Sequence, residues 1–541
     1  MSELEYGEFM EIVRQRLKDF SLEDYRGILL RWASEEVPAR RFSFLSKLVP
    51  SIEGPVTDSL IEDVSAFVSR VEGGDYCEGW GWYDQIREER DWGDESWAGE
   101  MDYYFLQAGR QLVKGDPGIA RKVYEMLFDV LKLGEEPGYL PGDPDSSSML
   151  QVDIHEQMAL YFRTVYLTAV PEKRPDDLYS AIQKYCPFFG SIRLQTVVEM
   201  KEEALPNFAA FLTLWVQYLL NLEPRTSDEL LREAIILKGG SAAISEFARQ
   251  YPAQHPRAYL DWLGCLDLAQ EGDLVLKIAR EGLAKIPADS PVRAEVAEYI
   301  AQVGIINQDG KLALEGYWER YSVTPSTGHL VDLYLVATEN DLLNTARKLA
   351  EGRIKGPYSK VSKPCPDTAV DLILLFGGHY NQLAEMYRLP DSSGTSPSFI
   401  STACMLMFLA NTGPSLVVLK QLWKDMRHYC DHGDYEKCGK IIAYIKKTTT
   451  LAKEEEACIF DLVVYAIGAR VDTFVGGKQR NNFREAAYLL ASFAEIMASR
   501  KENSRGMELV EKYQRKYWRY STFRRKLAQA LLEAGIRASG H

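Results

Sequence analysis

Histidine is scarce in this chain, seven in 541 residues, and no two cysteines stand in CxxC spacing. The common zinc ribbons and thioredoxin-type motifs are therefore excluded. The eight cysteines (77, 186, 265, 365, 404, 430, 438 and 458) are scattered, which in a chain of this length points to reduced thiols and a cytoplasmic setting. No GxGxxG, GxxxxGK[ST] or GxSxG occurs, so the usual phosphate cradles and the serine nucleophile elbow are missing. Long apolar runs are missing too. The longest, residues 208–220 (FAAFLTLWVQYLL), contains Thr213 and Gln217 and is too short to span a bilayer. It is expected as a buried helix, and no membrane is expected as a partner. The opening MSELEYGEFM is charged and amphipathic, unlike a signal peptide. Sustained period-two alternation and Asn-Gly turns are absent, which leaves little room for strands.

What is present is helical. Charged residues make up 26% and hydrophobic ones 46%, the balance of an ordinary soluble globular chain. At this length two to four domains or one repeat array are expected. Tyr104, Ala108, Ala120 and Tyr124 take the aromatic, small, small and aromatic positions of a tetratricopeptide-type hairpin around the turn Gly115-Asp116-Pro117. Two helices cross closely only where small residues replace bulk. Four further hairpins are predicted over 258–291, 330–352, 416–447 and 455–500, turning near Gly272, Asn340, Gly433 and Gly476. The expected fold is all-α, an array of degenerate tetratricopeptide-like helical hairpins (an α-solenoid). The segments 137–148 and 389–398 are rich in Pro, Gly and Ser. The second is taken as the main linker, giving an N-terminal helical-repeat region over residues 1–388 and a C-terminal module over residues 399–541.

Charge is uneven. The net charge is −15, which weighs against a dedicated nucleic-acid binder. Residues 51–150 hold 22 acids against 8 Lys and Arg, whereas 501–541 hold 4 acids against 10. Within the acidic segment 71–105 stand Trp80, Trp82, Trp92 and Trp97, four of the ten tryptophans. They are candidate anchors for a basic partner, with packing of a loop onto the array as the plainer account. At the other end, residues 512–526 (KYQRKYWRYSTFRRK) carry seven cations and no acid. Arg515, Arg519 and Arg524 are candidate partner contacts there, for an acidic protein surface or for nucleic acid through phosphate contact and stacking, with a plain solvated face as the simpler account. Tyr513, Tyr517 and Tyr520 follow helical spacing, so several of these aromatics are expected as core.

Three metal patterns fail on inspection. His428 and His432 share a helical face and Cys430 and Cys438 lie near, yet Gly433-Asp434-Tyr435 is the expected hairpin turn. Asp143, Asp145 and Ser147 open like a calcium loop, but the twelfth position is Ile154 instead of Glu. His155-Glu156 is followed by Ala159 where HExxH needs histidine. No catalytic, cofactor or metal residue is assigned, and no enzymatic activity is expected.

Two resemblances add to this reading. The tail NFREAAYLLASFAEIMASR…YQRKYWRYSTFRRKLAQAL (482–531) resembles the helical region that accompanies bacterial SWIM zinc fingers, without the finger itself. It implies a prokaryotic helical-repeat protein and nothing about metal. The organisation also resembles the accessory proteins cut by the caspase-like protease of type III-E CRISPR effector complexes. The shared features are the size class, the missing catalytic motifs, a linker before a smaller helical module, and the bond Met426-Arg427 inside that module. That resemblance implies a non-catalytic antiviral-defence regulator, cleaved at Met426-Arg427, with a sigma factor as partner of its N-terminal region. The alternative is a helical-repeat adaptor, or a nucleic-acid-associated protein, with no proteolytic switch.

Overall fold

Helix follows helix through the computed structural model, which describes residues 20–35, 57–77, 81–83, 88–90, 94–136, 139–141, 145–201, 203–355, 367–388, 397–410, 416–426 and 435–536. Two units emerge, Met1–Ala243 and Ile244–His541.

The first unit contains α1 (Leu22–Glu35), α2 (Thr57–Gly73), β1 (Gly81–Tyr83), β2 (Glu88–Arg90), α3 (Ser96–Lys114), α4 (Pro117–Gly134), α5 (Ile154–Thr168), α6 (Arg174–Phe189), α7 (Leu194–Glu199), α8 (Phe208–Leu220) and the start of α9 (Pro224–Gln250). The pairing of α3 with α4 is the first expected hairpin. Gly115 ends α3 in the left-handed region (φ 93°), its N–H bonded to Gln111 and Leu112 carbonyls, and Pro117 opens α4. Ala120 is fully buried. Ala120→Trp is expected to cost about 1–3 kcal/mol by overpacking, read as a lower urea midpoint; an unchanged midpoint would mean the crossing tolerates bulk there. α4 also packs on α2 and α5, and α6 packs on α5 and α8. The run 208–220 is the expected helix, buried along Phe211, Leu212, Trp215 and Leu219. A short β1–β2 hairpin, Gly81 opposite Arg90, accompanies the helices.

The second unit adds α10 (Ala258–Gly264), α11 (Gly272–Lys285), α12 (Val292–Ile306), α13 (Gly310–Val323), α14 (Thr327–Glu339), α15 (Leu343–Lys355), α16 (Asp367–Gly377), α17 (Tyr380–Arg388), α18 (Phe399–Leu409), α19 (Val417–Met426), α20 (Tyr435–Thr448), α21 (Lys453–Val471), α22 (Phe483–Ser499), α23 (Asn503–Lys516) and α24 (Ser521–Glu533). From α10 to α17 each helix packs on the next. Then α18, buried along its whole length, is wrapped by α16, α20, α21 and α22, and α20 turns back onto α14.

The units divide after Ala243, shortly beyond Gly239-Gly240, where α9 breaks (Gly240 φ 60°, ψ −150°, a conformation open to glycine alone). Residues 389–396 lie outside the described residues. The helices on either side of them, α17 and α18, belong to one apolar core running from Ala313 to Leu531. The fourth hairpin is altered. Trp423 of α19 meets Tyr435 of α20 edge-on at 5.6 Å, but α19 packs chiefly on α22 and α24, and α20 on α14 and α18.

Glu281 of α11 gathers Arg249 of α9 (2.9 and 3.1 Å), Tyr259 of α10 (3.1 Å) and Lys285 (3.0 Å). The hydrogen bonds from Arg249, outweighing desolvation, bring its carboxyl down to about 2. A depressed carboxyl stabilises the fold above its unfolded value of 4.5 and loses that contribution as pH falls towards 2. Glu281→Gln is expected to flatten the acid limb of a urea-midpoint profile in that window; an unaltered limb would place the acid sensitivity elsewhere.

Candidate functional site

Trp97, a candidate partner contact in sequence, is fully buried in α3, and its indole N–H donates to the Pro141 carbonyl at 3.1 Å. Met101 and Phe105, one and two turns further along α3, are buried with it, so the ring belongs to the core and not to a surface. Trp80 and Trp92 lie outside the described residues, and of Trp82 only the backbone, on β1, is described. Several acids of 71–105 already have structural work. Glu100 accepts from Arg70 and from Tyr76 (2.9 Å), Asp94 accepts from the Ser96 N–H at the start of α3, and Asp102 accepts from the N–H groups of Gln151 and Val152 at 3.0 Å. Burial and the Glu100 bond push the Tyr76 hydroxyl well above its ordinary range.

The basic end divides as helical spacing requires. Tyr513, Tyr517 and Phe523 are buried, Tyr520 is half-buried, and Trp518 is 61% exposed in the turn between α23 and α24. Tyr517 donates to Asp472 at 2.7 Å, and burial with that bond pushes its phenol far upward. Arg515 pairs with Glu511 at 2.7 Å and Lys516 with Asp472 at 2.7 Å. Arg519 lies over the Trp518 ring, 5.1 Å from its centroid. Arg524 is exposed. Of the three candidate arginines, Arg519 and Arg524 have no carboxylate partner among the described residues.

Met426 is the last residue of α19; Arg427 and the rest of 427–434 lie outside the described residues. α19 is anchored at its other end, where Glu495 of α22 accepts from the N–H groups of Val417 (2.8 Å) and Val418 (3.3 Å). Desolvation raises the Glu495 carboxyl despite those bonds. Leu419, Leu422 and Trp423 face the core.

The metal patterns are placed as follows. His428, Cys430 and His432 lie outside the described residues, while Cys438 is buried in α20. Cys404 of α18 is buried too, and its interaction with Cys438 and its burial push its thiol up, away from a reactive thiolate. Asp145 accepts from the Ser147 N–H (3.1 Å) and hydroxyl (2.6 Å), capping a short turn, and Asp153 caps α5 through the His155 and Glu156 N–H groups. Among the described residues no group of three His, Cys, Asp or Glu is arranged to hold a metal, and no helix is long and apolar enough to cross a membrane.

A cleft of about 500 Å³ in the second unit has no counterpart in the sequence reading. Its lining includes Ile305, Gln308, Tyr317, Asp332, Glu339 and Lys437. Lys437 of α20 donates to Asp332 of α14 at 2.6 Å, which closes one side. The local signals that could have pointed to it are the turns Gln308-Asp309-Gly310 and Asn340-Asp341, where helix ends meet.

No family model matches the chain, and no curated protein matches it. Among solved structures the chain is similar to a circular tandem repeat protein with novel repeat topology and enhanced subunit contact surfaces. The two are 13% identical over 88% of this chain and 99% of that one, and at a TM-score of 0.17 the likeness carries no argument.

Proposed function

We propose that this chain is a non-enzymatic regulatory protein that holds a protein partner on its array of helical hairpins and is switched by cleavage between Met426 and Arg427. The setting implied by the resemblance is cytoplasmic prokaryotic antiviral defence, with a caspase-like CRISPR-associated protease as the cutter and a sigma factor as the held partner. Helical-hairpin arrays present extended surfaces to protein partners, which supports the holding half of the reading.

The observation that supports the switch is the packing of helices before 427–434 against helices after it. α18 and α19, before the bond, pack against α20, α21, α22 and α24, after it. A cut would therefore leave fragments 1–426 and 427–541 sharing one core. Covalent connection keeps such elements at an effective concentration of order mM. Its loss makes a once-intramolecular fold depend on two chains staying together. The switch then acts by weakening a shared core, and a partner bound to it feels the difference; it does not simply shed a preformed module.

The test is incubation with an RNA-activated caspase-like CRISPR protease, followed by mass spectrometry and gel filtration. Fragments ending at Met426, blocked by Met426→Ala with Arg427→Glu and co-eluting without denaturant, are expected. No cut, or a cut indifferent to both substitutions, leaves the helical-repeat adaptor without a switch.

A further inference from the structure

We propose that the corner formed by the end of α23, the turn at Trp518 and the first half of α24 is a docking surface for a short acidic segment of a partner protein. The proposal rests on the partner-holding reading above but is independent of cleavage.

The first ground is charge that the fold leaves unused. Of the seven cations in 512–526, Arg515 and Lys516 are neutralised by Glu511 and Asp472. Lys512, Arg519, Arg524, Arg525 and Lys526 have no carboxylate partner among the described residues, in a chain whose net charge is −15. Holding five like charges together costs the isolated protein and is recovered only when an anion arrives.

The second ground is a rigid apolar anchor at the centre. Trp518 faces solvent on a turn whose neighbouring aromatic residues are held in the core. Tyr517 is tied to Asp472, Tyr520 meets Phe483 edge-on at 6.0 Å, and Phe523 is fully buried. Arg519 already lies against the Trp518 ring. Tryptophan and arginine dominate the tight contacts of protein interfaces, and a preorganised anchor loses little entropy on binding.

The patch is short, and that selects the partner. On α23 it is bounded by Glu508, beyond the Glu511–Arg515 pair, and at the end of α24 by Glu533. A nucleic-acid strand or an anionic membrane plane extends past the cations and meets these carboxylates, whereas an acidic peptide with one or two apolar side chains fits within them.

The experiment is fluorescence anisotropy on the full chain. The probe is a labelled peptide of about ten residues in which Asp and Glu alternate with Phe and Leu, near the length that side chains on two helices can cover. Binding that weakens with salt, and that falls about tenfold or more on Trp518→Ala and on Arg519→Glu with Arg525→Glu, is expected. These positions are exposed, and unchanged circular dichroism will show that the variants fold. The proposal is overturned if the same peptide with Asn and Gln in place of the acids binds equally well. Equal or tighter binding of an oligo(dT) probe or of phosphatidylserine vesicles overturns it, as does no binding of the acidic peptide, or binding indifferent to the substitutions. None of these outcomes touches the cleavage assay, so failure here and failure of the switch are separable.

Discussion

Gly304→Val is expected to lower the stability of the second unit by about 3 kcal/mol or more, the upper range of overpacking. α12 and α13 approach until their backbones touch. A Cβ at Gly304 would collide with the backbone of Ala313, and one at Gly316 with the backbone of Ala301 and Ala297. Side chains can rotate away from an added methyl, but a helix backbone can move only with its whole helix. The two helices must therefore separate, and the packing of α11 and α14 on either side opens with them. Gly316→Val should behave alike. Gly264→Ala is the matched control, because the nearest atom to its Cβ would be the Tyr299 hydroxyl at 3.9 Å; it should change stability by less than about 1 kcal/mol. Urea denaturation of the three variants decides the matter. A Gly304→Val midpoint equal to the control's would mean that the two helices do not meet at backbone contact.

Arg470→Met should be comparably damaging. Arg470 of α21 and Glu485 of α22 pair at 2.7 Å with side-chain exposures of 17% and 8%, and the guanidinium also donates to the Pro397 carbonyl at 3.3 Å. That second bond ties the chain entering α18 to the helices that wrap it. Burial raises the Glu485 carboxyl, while the charge and hydrogen bond of Arg470 pull it down. Without the cation, a carboxylate remains buried with nothing to offset its lost hydration, at a cost of about 3–5 kcal/mol near neutral pH. A carboxyl raised above its unfolded value of 4.5 binds its proton more tightly in the folded state, so the variant should lose stability as pH rises from 4.5 through the folded value and recover it as pH falls back towards 4.5. Arg470→Met with Glu485→Leu, which removes both charges, should recover most of that loss, remaining below the parent by about 1–3 kcal/mol for the unpartnered Pro397 carbonyl. Urea curves at about pH 4.5, where that loss begins, and at about pH 7 compare the single and double variants with the parent. A single variant as stable as the parent at neutral pH would show that Glu485 is hydrated after all.

Helices were legible in the sequence because each is specified locally. Gly115 and Pro117 punctuate α3 and α4, and Asp309 caps α13 through the Lys311 and Leu312 N–H groups. The small residue Ala120 marks its crossing correctly. The α12–α13 pair is harder to see although Gly304 and Gly316 carry the same signal, because along a chain a glycine reads as a turn before it reads as a contact point. The β1–β2 hairpin is hidden too: three-residue strands are too short for alternation to show. In the candidate surfaces, spacing separates Tyr513 and Tyr517 from solvent. It cannot separate Trp97, whose indole N–H finds its partner in the Pro141 carbonyl, 44 residues away.

The amino-acid sequence alone determined the all-α class, the positions of most hairpins, and the opposed charges of the acidic segment and the basic end, since periodicity, caps and charge counts are properties of neighbouring residues. The tertiary structure alone decided the rest. It placed the division between the two units after Ala243, because a unit is defined by the contacts within it and not by residue types along one short stretch. It buried Trp97 and exposed Trp518, two residues that look alike in sequence. It sent α19 and α20 to different neighbours although they are adjacent in the chain, because each helix buries its apolar face against whichever surface the whole core offers. And it paired Arg515 and Lys516 with their own chain's acids while leaving five neighbouring cations without carboxylate partners among the described residues, a division that rests on distances between helices and not on the order of residues along them.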